Sequence, residues 1–566
     1  MKKIRRVLFL LIAVMILFSG CKFGNADPPE TTEVIVKNDE DLGFYIIQNG
    51  ITDYKIVYPK NSSSELTSAI NSFKKAVKEA TGVSLVSVND FKKEDSNAVG
   101  QAKEILIGAT NRKASIEKNV ALRSKDYSIS QSGNQLVIVG GSDEAVRVAL
   151  EKLVERCLPE KKMTNMSLNS DDFITYTATY TIDSLMLNDK DISEYRIVFP
   201  EGNVYLKKSA DTLRKLISEK VGVNISVVSD ATENQNDQPE LLLGDVNRGG
   251  ADSVSPNQAK IVQVNQSLQI LGGNVYDTLR GINAFQDEFL NQTGTVEWNC
   301  LDKKEFSLPN QNPITTMSFN ILYTIKDSTG SSRAPKTAEA ILSAMPDTVG
   351  VQECTVDWKN SLDQILGEHG YSSVGELNHA TQKWYNAIFY RTDRLKLIET
   401  KTMWLSDTPD ISSKFADSNQ YRTVTYAVFE DLQTGERFAH YNTHLDIVIE
   451  AAEKQLKVLQ NMTSACEYPF VVTGDFNILT IWPQYQKMQE TWIDSAKVAD
   501  VNEDSRDSIM DFCMINEGIV ASKFVAITDP YVLKNEWDAG NTNGQSTYIS
   551  DHWPCYIQFY LYDYNK

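Results

Sequence analysis

Two periods alternate along this chain. Short apolar runs are followed by stretches in which apolar residues recur every third or fourth position, the pattern of strands alternating with helices. Between residues 42 and 298 the pattern occurs twice. Tyr54-Lys55-Ile56-Val57-Tyr58-Pro59 matches Tyr195-Arg196-Ile197-Val198-Phe199-Pro200. Helix-period segments follow at 66–81 and 206–221. A glycine then opens a strand expected at 82–86 and again at 222–226. The next strands run into Gly108-Ala109-Thr110-Asn111-Arg112 and Gly244-Asp245-Val246-Asn247-Arg248. Both copies close with strand, Gly-Gly and helix, at Gly140-Gly141 and Gly272-Gly273. Matches in the same order with small drifts in spacing predict two tandem α/β modules of ordinary domain size.

From residue 314 the pattern changes. Apolar runs become shorter and end on polar residues: 315–322 carrying Asn320, 347–353 ending on Glu353, 386–390, 422–429, and 438–444 ending on His444. Helix periods fall at 337–345 and 449–462, and a last strand at 555–562 follows Asp551-His552. Phe470-Val471-Val472 stops at Gly474, and beyond it sit Asp475 and Asn477. Side chains alternate along extended backbone, so these two point the same way while Phe476 turns into the core. Strand ends from several parts of a sheet converge on one polar cleft. The expected cluster is Asn320, Glu353, His444, Asp475, Asn477, Asp511, Asp551 and His552. Hard oxygen donors with few carboxylates suit Mg²⁺ or Mn²⁺ rather than structural zinc, and the imidazoles suit proton transfer.

Composition sharpens the outline. All five histidines and seven of the eight tryptophans lie in residues 314–566. The formal net charge is −19, which disfavours a broad nucleic-acid footprint made by a basic face. Seven cysteines are scattered without a Cys-x-x-Cys pair, so neither a disulfide scaffold nor a zinc site is expected. Residues 1–20 read as a signal peptide: a basic start, an apolar stretch from Val7 to Phe18, then Ser19-Gly20 before Cys21. This pattern is similar to the lipobox of bacterial lipoproteins, with Phe18 where Leu is more usual. It implies lipidation of Cys21, a membrane-anchored extracytoplasmic protein, and a flexible tether over 21–43. The remaining boundaries are module 1 at 44–180, module 2 at 181–300, a linker with two prolines at 301–313 and a catalytic domain at 314–566.

The modules resemble the small α/β domain that precedes the catalytic barrel of bacterial hexosaminidases and α-glucuronidases, on the Asn-Arg stretches and Gly-Gly closures quoted above. No such barrel follows, neither module contains a histidine, and no acid/base pair recurs. A spacer or packing role is expected first and cell-surface glycan binding second; Arg112 and Arg248 recur after Asn, and a turn with a surface Arg explains them as well as a binding role does.

In the C-terminal part, seven motifs appear in order: Ser318-Phe319-Asn320-Ile321, Gly350-Val351-Gln352-Glu353, Asn386-Ala387-Ile388-Phe389-Tyr390-Arg391, Trp404-Leu405-Ser406, Asn442-Thr443-His444-Leu445-Asp446, Gly474-Asp475-Phe476-Asn477 and Ser550-Asp551-His552-Trp553-Pro554. The series resembles the endonuclease/exonuclease/phosphatase family, the superfamily of deoxyribonuclease I and neutral sphingomyelinase. The resemblance implies an α/β fold, a four-layer sandwich of two packed mixed sheets. It implies that Glu353, with Asn320 and Asp551, holds Mg²⁺ or Mn²⁺. Asp475 would orient or deprotonate the attacking water, and Asn477 would hold a phosphate oxygen. Asp511 would pair with His552, His444 would bind phosphate or assist the leaving group, and Arg422 would contact the phosphate. The chain departs from many relatives at Ser508-Ile509-Met510 and at Ile447, and no acidic partner for His444 is evident. His440 is expected to be structural, His369 and His379 solvated.

Residues 315–566 carry 20 Lys and Arg against 34 Asp and Glu, a difference of −14. A substrate gripped through many phosphates would be repelled. A small or surface-associated phosphoester is therefore expected, with a surface nuclease as the alternative and a non-catalytic glycan-binding lipoprotein as the alternative of another class. No protein partner is evident.

Overall fold

The computed structural model describes residues 32–35, 43–92, 99–120, 122–234, 237–250, 252–299, 304–326, 330–501, 510–527 and 549–564. The expected signal peptide, Cys21 and Cys300 lie outside the described residues. Among the described residues no helix is long and apolar enough to cross a membrane. Four of the five described cysteines are buried, as small apolar residues would be.

The chain forms two compact units that interleave in sequence, where the periodicity places single boundaries. The first takes in residues up to Ser193 with Arg214–Ile225 and Gln292–Trp298; the second takes in Glu194–Leu213, Ser226–Asn291 and residues from Asn299 onward. Each contains a small α/β sheet, and the two sheets have one strand order. In the first it runs Val86–Asn89, Lys55–Tyr58, Glu104–Ile107, Gln135–Gly140, Tyr127–Ser132, Ile174–Thr177. In the second it runs Val227–Ser229, Arg196–Phe199, Glu240–Leu243, Ser267–Gly272, Gln258–Val264, Lys304–Ser307. Thr32–Ile35, inside the expected tether, pairs with Ile174–Thr177.

Two expectations need correction here. The strands expected at 82–86 and 222–226 begin only at Val86 and Val227. Gly82 caps the preceding helix in the left-handed region, φ +76°, and its N–H bonds the Lys78 carbonyl, so the chain spends three more residues reaching the sheet. Arg112 and Arg248 are not surface residues of a turn. Arg112 Nε lies 3.1 Å from Glu104 and Arg248 Nε 2.7 Å from Glu240, each glutamate opening a central strand. A buried carboxylate needs such a partner, so each pair fixes its Gly-x-x-Asn-Arg turn against its sheet.

The described part of the expected linker, 304–313, belongs to the second unit. Lys304–Ser307 pairs with Gln258–Val264, and Asn257 holds Asn310 at 2.9 Å. Within the same unit Tyr276 stacks on Tyr560 at 4.1 Å, and Tyr562 Oη donates to Asn283 at 2.8 Å.

The C-terminal domain consists of β1 (Ile314–Asn320), α1 (Ala334–Ala344), β2 (Thr348–Thr355), α2 (Val356–Gly367), β3 (Tyr371–Val374), β4 (Trp384–Arg391), β5 (Leu395–Trp404), β6 (Thr423–Asp431), β7 (Arg437–His444), α3 (Ile449–Ser464), β8 (Phe470–Asp475), α4 (Pro483–Gln489), β9 (Ile493–Asp494), β10 (Asp500–Val501), β11 (Asp511–Ile515), β12 (Ile519–Ala526) and β13 (Cys555–Leu561). They build two mixed sheets, ordered β3-β4-β2-β1-β13-β12-β10 and β5-β6-β7-β8-β11-β9. Helices α1 and α2 bury apolar faces with the first sheet, and α3 and α4 with the second. This is the four-layer sandwich that the motif order implies.

Between the sheets an apolar cluster containing Ile388, Phe429, Phe438 and Phe559 gives way, toward the strand ends, to a buried polar network. Gln352 Nε2 donates to Asn442 Oδ1 at 2.7 Å, Asn442 Nδ2 donates to the Val351 and Ala387 carbonyls at 2.9 Å, and Thr473 Oγ1 donates to Asn442 Oδ1 at 3.1 Å. His440 Nε2 meets Thr473 Oγ1 at 2.7 Å. These bonds lock the register of the two sheets beneath the cleft.

His440 is fully buried, and burial pushes its pKa down from the ordinary 6.5 to about 3. A histidine kept neutral by folding contributes full stability above pH ~6.5, and that contribution is lost as pH falls toward 3, by up to about 1.4 kcal/mol per pH unit. Denaturant titrations of wild type and His440→Gln between pH 7 and 4 should give a steeper loss for wild type. Parallel curves would show that His440 is not neutral in the fold.

Candidate active site

The expected cluster assembles at one end of the sandwich. Asn320 ends β1, His444 ends β7 and Asp475 ends β8, while Asp511 opens β11. His444 and Asp475 are register partners, as are Asp475 and Asp511. Glu353 sits where the pairing of β2 with β4 slips between Val351 and Cys354, with φ +59°. Asn477 (φ +50°) and Leu322 (φ +56°) also occupy the left-handed region. Such backbone costs of order 1–3 kcal/mol per residue and persists where surroundings over-determine it, typically at functional sites. At Glu353 the bulge re-aims a carboxylate that a regular strand would direct elsewhere.

Asp475 is the hub. Its Oδ2 accepts from Asn320 Nδ2 at 3.0 Å and lies 3.4 Å from His444 Nε2 and 3.7 Å from His552 Nε2. Its Oδ1 accepts the Asn477 N–H at 2.9 Å. Asp475 is thus the acidic neighbour of His444 that the sequence does not reveal. Burial raises the Asp475 pKa, Asp511 adds to the rise, and His552 opposes it. His552 Nδ1 is 2.6 Å from Asp511 Oδ2. Burial alone would lower the His552 pKa, but Asp511 and Asp475 together lift it well above 6.5. His444 shifts the other way. Burial, then the charges of Arg422 and His552, hold it well below 6.5. Their surroundings thus push the two imidazoles in opposite directions, which separates their chemical roles.

Glu353 Oε2 accepts the Tyr323 N–H at 2.9 Å, and Oε1 lies 3.4 Å from Asn320 Nδ2. Its pKa is raised by burial and by the charges of Asp551 and Asp475. Asp551 Oδ1 accepts from Ser550 Oγ at 3.2 Å, and Ser550 Oγ also donates to the Asn320 carbonyl. The Asn320 amide turns its Nδ2 toward Glu353 and Asp475 while its Oδ1 accepts the Leu322 N–H at 3.1 Å; the carboxylates crowded at Glu353 and Asp551 fit a hard divalent cation, which would relieve their mutual repulsion. Among the described residues no group of three or more Asp, Glu, His or Cys converges as a protein-built cage. A cation here would keep water and substrate oxygens in its shell, as Mg²⁺ does.

Arg422, immediately before β6, is buried, and its Nε has no hydrogen-bond partner among the described residues. Asp446 Oδ2 is 3.9 Å away, already bonded by Ser418 Oγ at 2.6 Å and the Gln420 N–H at 3.0 Å. A buried guanidinium with an unused donor suits a bound anion. His444 Nδ1 is likewise buried without a hydrogen-bond partner among the described residues. Asn477 lies past the end of β8 with φ +50°, not on the extended backbone expected of it. One N–H of its amide donates to the Leu445 carbonyl at 3.0 Å, tying the loops after β7 and β8 together and leaving the second N–H for a ligand.

Local sequence gives no sign of the supports: Tyr323 lends only its backbone, and Ser418 and Gln455 reach Asp446 from a loop and from α3. His379 is not simply solvated; its ring stacks on Tyr421 at 3.9 Å, while Tyr323 stacks on Trp384 at 5.9 Å.

Residues 317–554 match the profile of the Endonuclease/Exonuclease/phosphatase family. No curated protein matches the chain. Among solved structures, an endonuclease/exonuclease/phosphatase family protein from Bacteroides thetaiotaomicron is 24% identical, with 45% of this chain and 100% of that chain covered and a TM-score of 0.39. One from Bacteroides vulgatus is 22% identical, covering 44% and 100%, with a TM-score of 0.39. A mannosyl-6-phosphatase from Bacteroides thetaiotaomicron is 23% identical, covering 44% and 100%, with a TM-score of 0.38. The profile falls on the residues that build the two-sheet sandwich and its cleft, and the C-terminal domain of this chain accordingly belongs to the endonuclease/exonuclease/phosphatase family, hydrolases of phosphoester bonds.

Proposed function

We propose that the domain hydrolyses a small phosphoester with the help of one divalent cation held by Glu353, Asn320 and Asp551. Such a cation supplies charge neutralisation at the phosphoryl oxygens. Asp475 takes a proton from the attacking water; the burial that raises its pKa makes it a better base than an exposed aspartate. Charged His552, held by Asp511 and facing Asp475, keeps that carboxylate in place and balances the charge that builds up in the transition state. Arg422 offers its unused donor, and Asn477 its second N–H, to the non-reacting phosphate oxygens. Neutral His444 offers a single N–H to phosphate or leaving group. The observation that carries this reading is the position of Asp475 between two imidazoles, 3.4 Å from His444 Nε2 and 3.7 Å from His552 Nε2.

The substrate reading follows from charge. With a domain balance of −14 and the unused donor of buried Arg422 facing the cleft, a single phosphate group fits better than a polyanion. Hydrolysis of small phosphomonoesters and diesters should exceed nicking of plasmid DNA at low salt. Fast plasmid degradation with a steep salt dependence would favour the nuclease reading. The lipobox-like start further supports lipidation at Cys21 and an extracytoplasmic, membrane-attached protein. Cys21→Ser should move the chain from the membrane to the soluble fraction of producing cells; an unchanged distribution would remove the anchor.

A further inference from the structure

We propose that Arg333 is a positioning residue for the cation site, an inference that rests on the cation reading above. Arg333 directly precedes α1 and is 4% exposed. Its guanidinium does not cap that helix. Nη1 donates to the Ile549 carbonyl at 2.7 Å. Nη2 donates to the carbonyls of Ile321 at 2.9 Å and Leu322 at 2.7 Å. Nε donates to the Thr324 carbonyl at 2.9 Å. Trp358 lies under the guanidinium at 5.2 Å, and its Nε1 donates to the same Leu322 carbonyl at 3.0 Å.

Those carbonyls belong to two segments far apart in sequence, and each segment carries a proposed ligand. Ile321 follows Asn320 directly. Leu322, in the left-handed region, precedes Tyr323, whose N–H holds Glu353 Oε2 at 2.9 Å. Ile549 precedes Ser550, whose hydroxyl joins the Asn320 carbonyl to Asp551 Oδ1. One side chain thus fixes the spacing between Asn320, Glu353 and Asp551. Arginine suits the place because its five donors in a rigid fork reach several carbonyls at once, which a lysine cannot do. By donating to carbonyls here, it leaves the Glu353 and Asp551 oxygens to a cation.

Supports of this kind typically alter metal affinity 10–100-fold. Isothermal titration of the full chain with Mn²⁺ should show binding weakened by at least ~10-fold in Arg333→Met and less in Arg333→Lys. The activity loss should appear in the Mn²⁺ concentration needed for half-maximal rate, with kcat recovered at saturating Mn²⁺. If Arg333→Met does not fold, Trp358→Phe removes one of the donors to Leu322 and should weaken Mn²⁺ binding in the same direction. Unchanged Mn²⁺ affinity in a variant with a lowered melting temperature would overturn the proposal, leaving Arg333 a purely structural residue. Wild type that binds no Mn²⁺ would overturn both this inference and the cation reading. Wild type that binds Mn²⁺ tightly, and loses that affinity in Arg333→Met, yet hydrolyses no ester would leave the positioning role standing and remove the reaction.

Discussion

Asp475→Asn should lower kcat/KM for any phosphoester the protein hydrolyses by at least ~10²-fold, the usual effect of losing a positioned base. The substitution is nearly isosteric. The amide oxygen still accepts the Asn477 N–H, which Oδ1 now holds at 2.9 Å. The other end changes from an acceptor to a donor and faces Asn320 Nδ2 at 3.0 Å and two imidazole nitrogens. It can no longer take a proton from water, and it turns a donor toward charged His552. The new donor facing Asn320 Nδ2 and His552 should also lower the melting temperature, a loss separate from the loss of the base. Steady-state kinetics with thermal melts of the same preparation check both halves. Turnover within threefold of wild type would remove Asp475 from the chemistry.

Gly350→Ala should destabilise the C-terminal domain by about 3 kcal/mol, roughly 6–12 °C in melting temperature, the upper end of the cost of overpacking a core. Gly350 lies in β2, facing Asn442 and Thr473 of the other sheet. A Cβ there would meet Thr473 Oγ1 at 2.3 Å and Asn442 Cγ at 2.5 Å. Neither neighbour is the loose end of a flexible chain. Asn442 is pinned by Gln352 and by two β-strand carbonyls, and Thr473 by His440. Relief would have to break buried hydrogen bonds, each of which costs more when left half-made than when absent. The disturbance would also move Glu353, three residues on, so activity should fall with stability. Urea unfolding of the variant measures the loss directly; a midpoint equal to wild type would mean that the sheets are not so tightly coupled beneath the cleft.

Much of this was legible in the chain because strands end where their apolar run ends. His444 ends its strand as that rule expects, whereas β1 stops at Asn320, short of the expected 322, and β8 runs on through Gly474 to Asp475; Phe476 is buried as expected. The bulge at Glu353 was not legible, since nothing in Gly350-Val351-Gln352-Glu353 separates a regular strand from one whose pairing slips. The contact between Asp475 and His444 depends on parallel pairing of β7 and β8, a matter of sheet order rather than of local pattern. Arg112 and Arg248 read as surface residues because arginine usually is one; their glutamate partners lie eight residues earlier, at strand starts that look like ordinary edges. The strands at Val86 and Val227 were set too early because the glycine that ends each helix was taken as the start of the strand.

The most direct test of the central claim is release of phosphate or alcohol from a panel of small phosphoesters by the purified chain, with Mg²⁺ or Mn²⁺ and again after exhaustive EDTA treatment. Turnover is expected with the cation, with a loss of at least ~10²-fold on its removal and recovery when it is returned. Turnover that EDTA leaves unchanged, with no cation retained by the protein, would contradict the proposed arrangement of Glu353, Asn320 and Asp551 around the reacting phosphate.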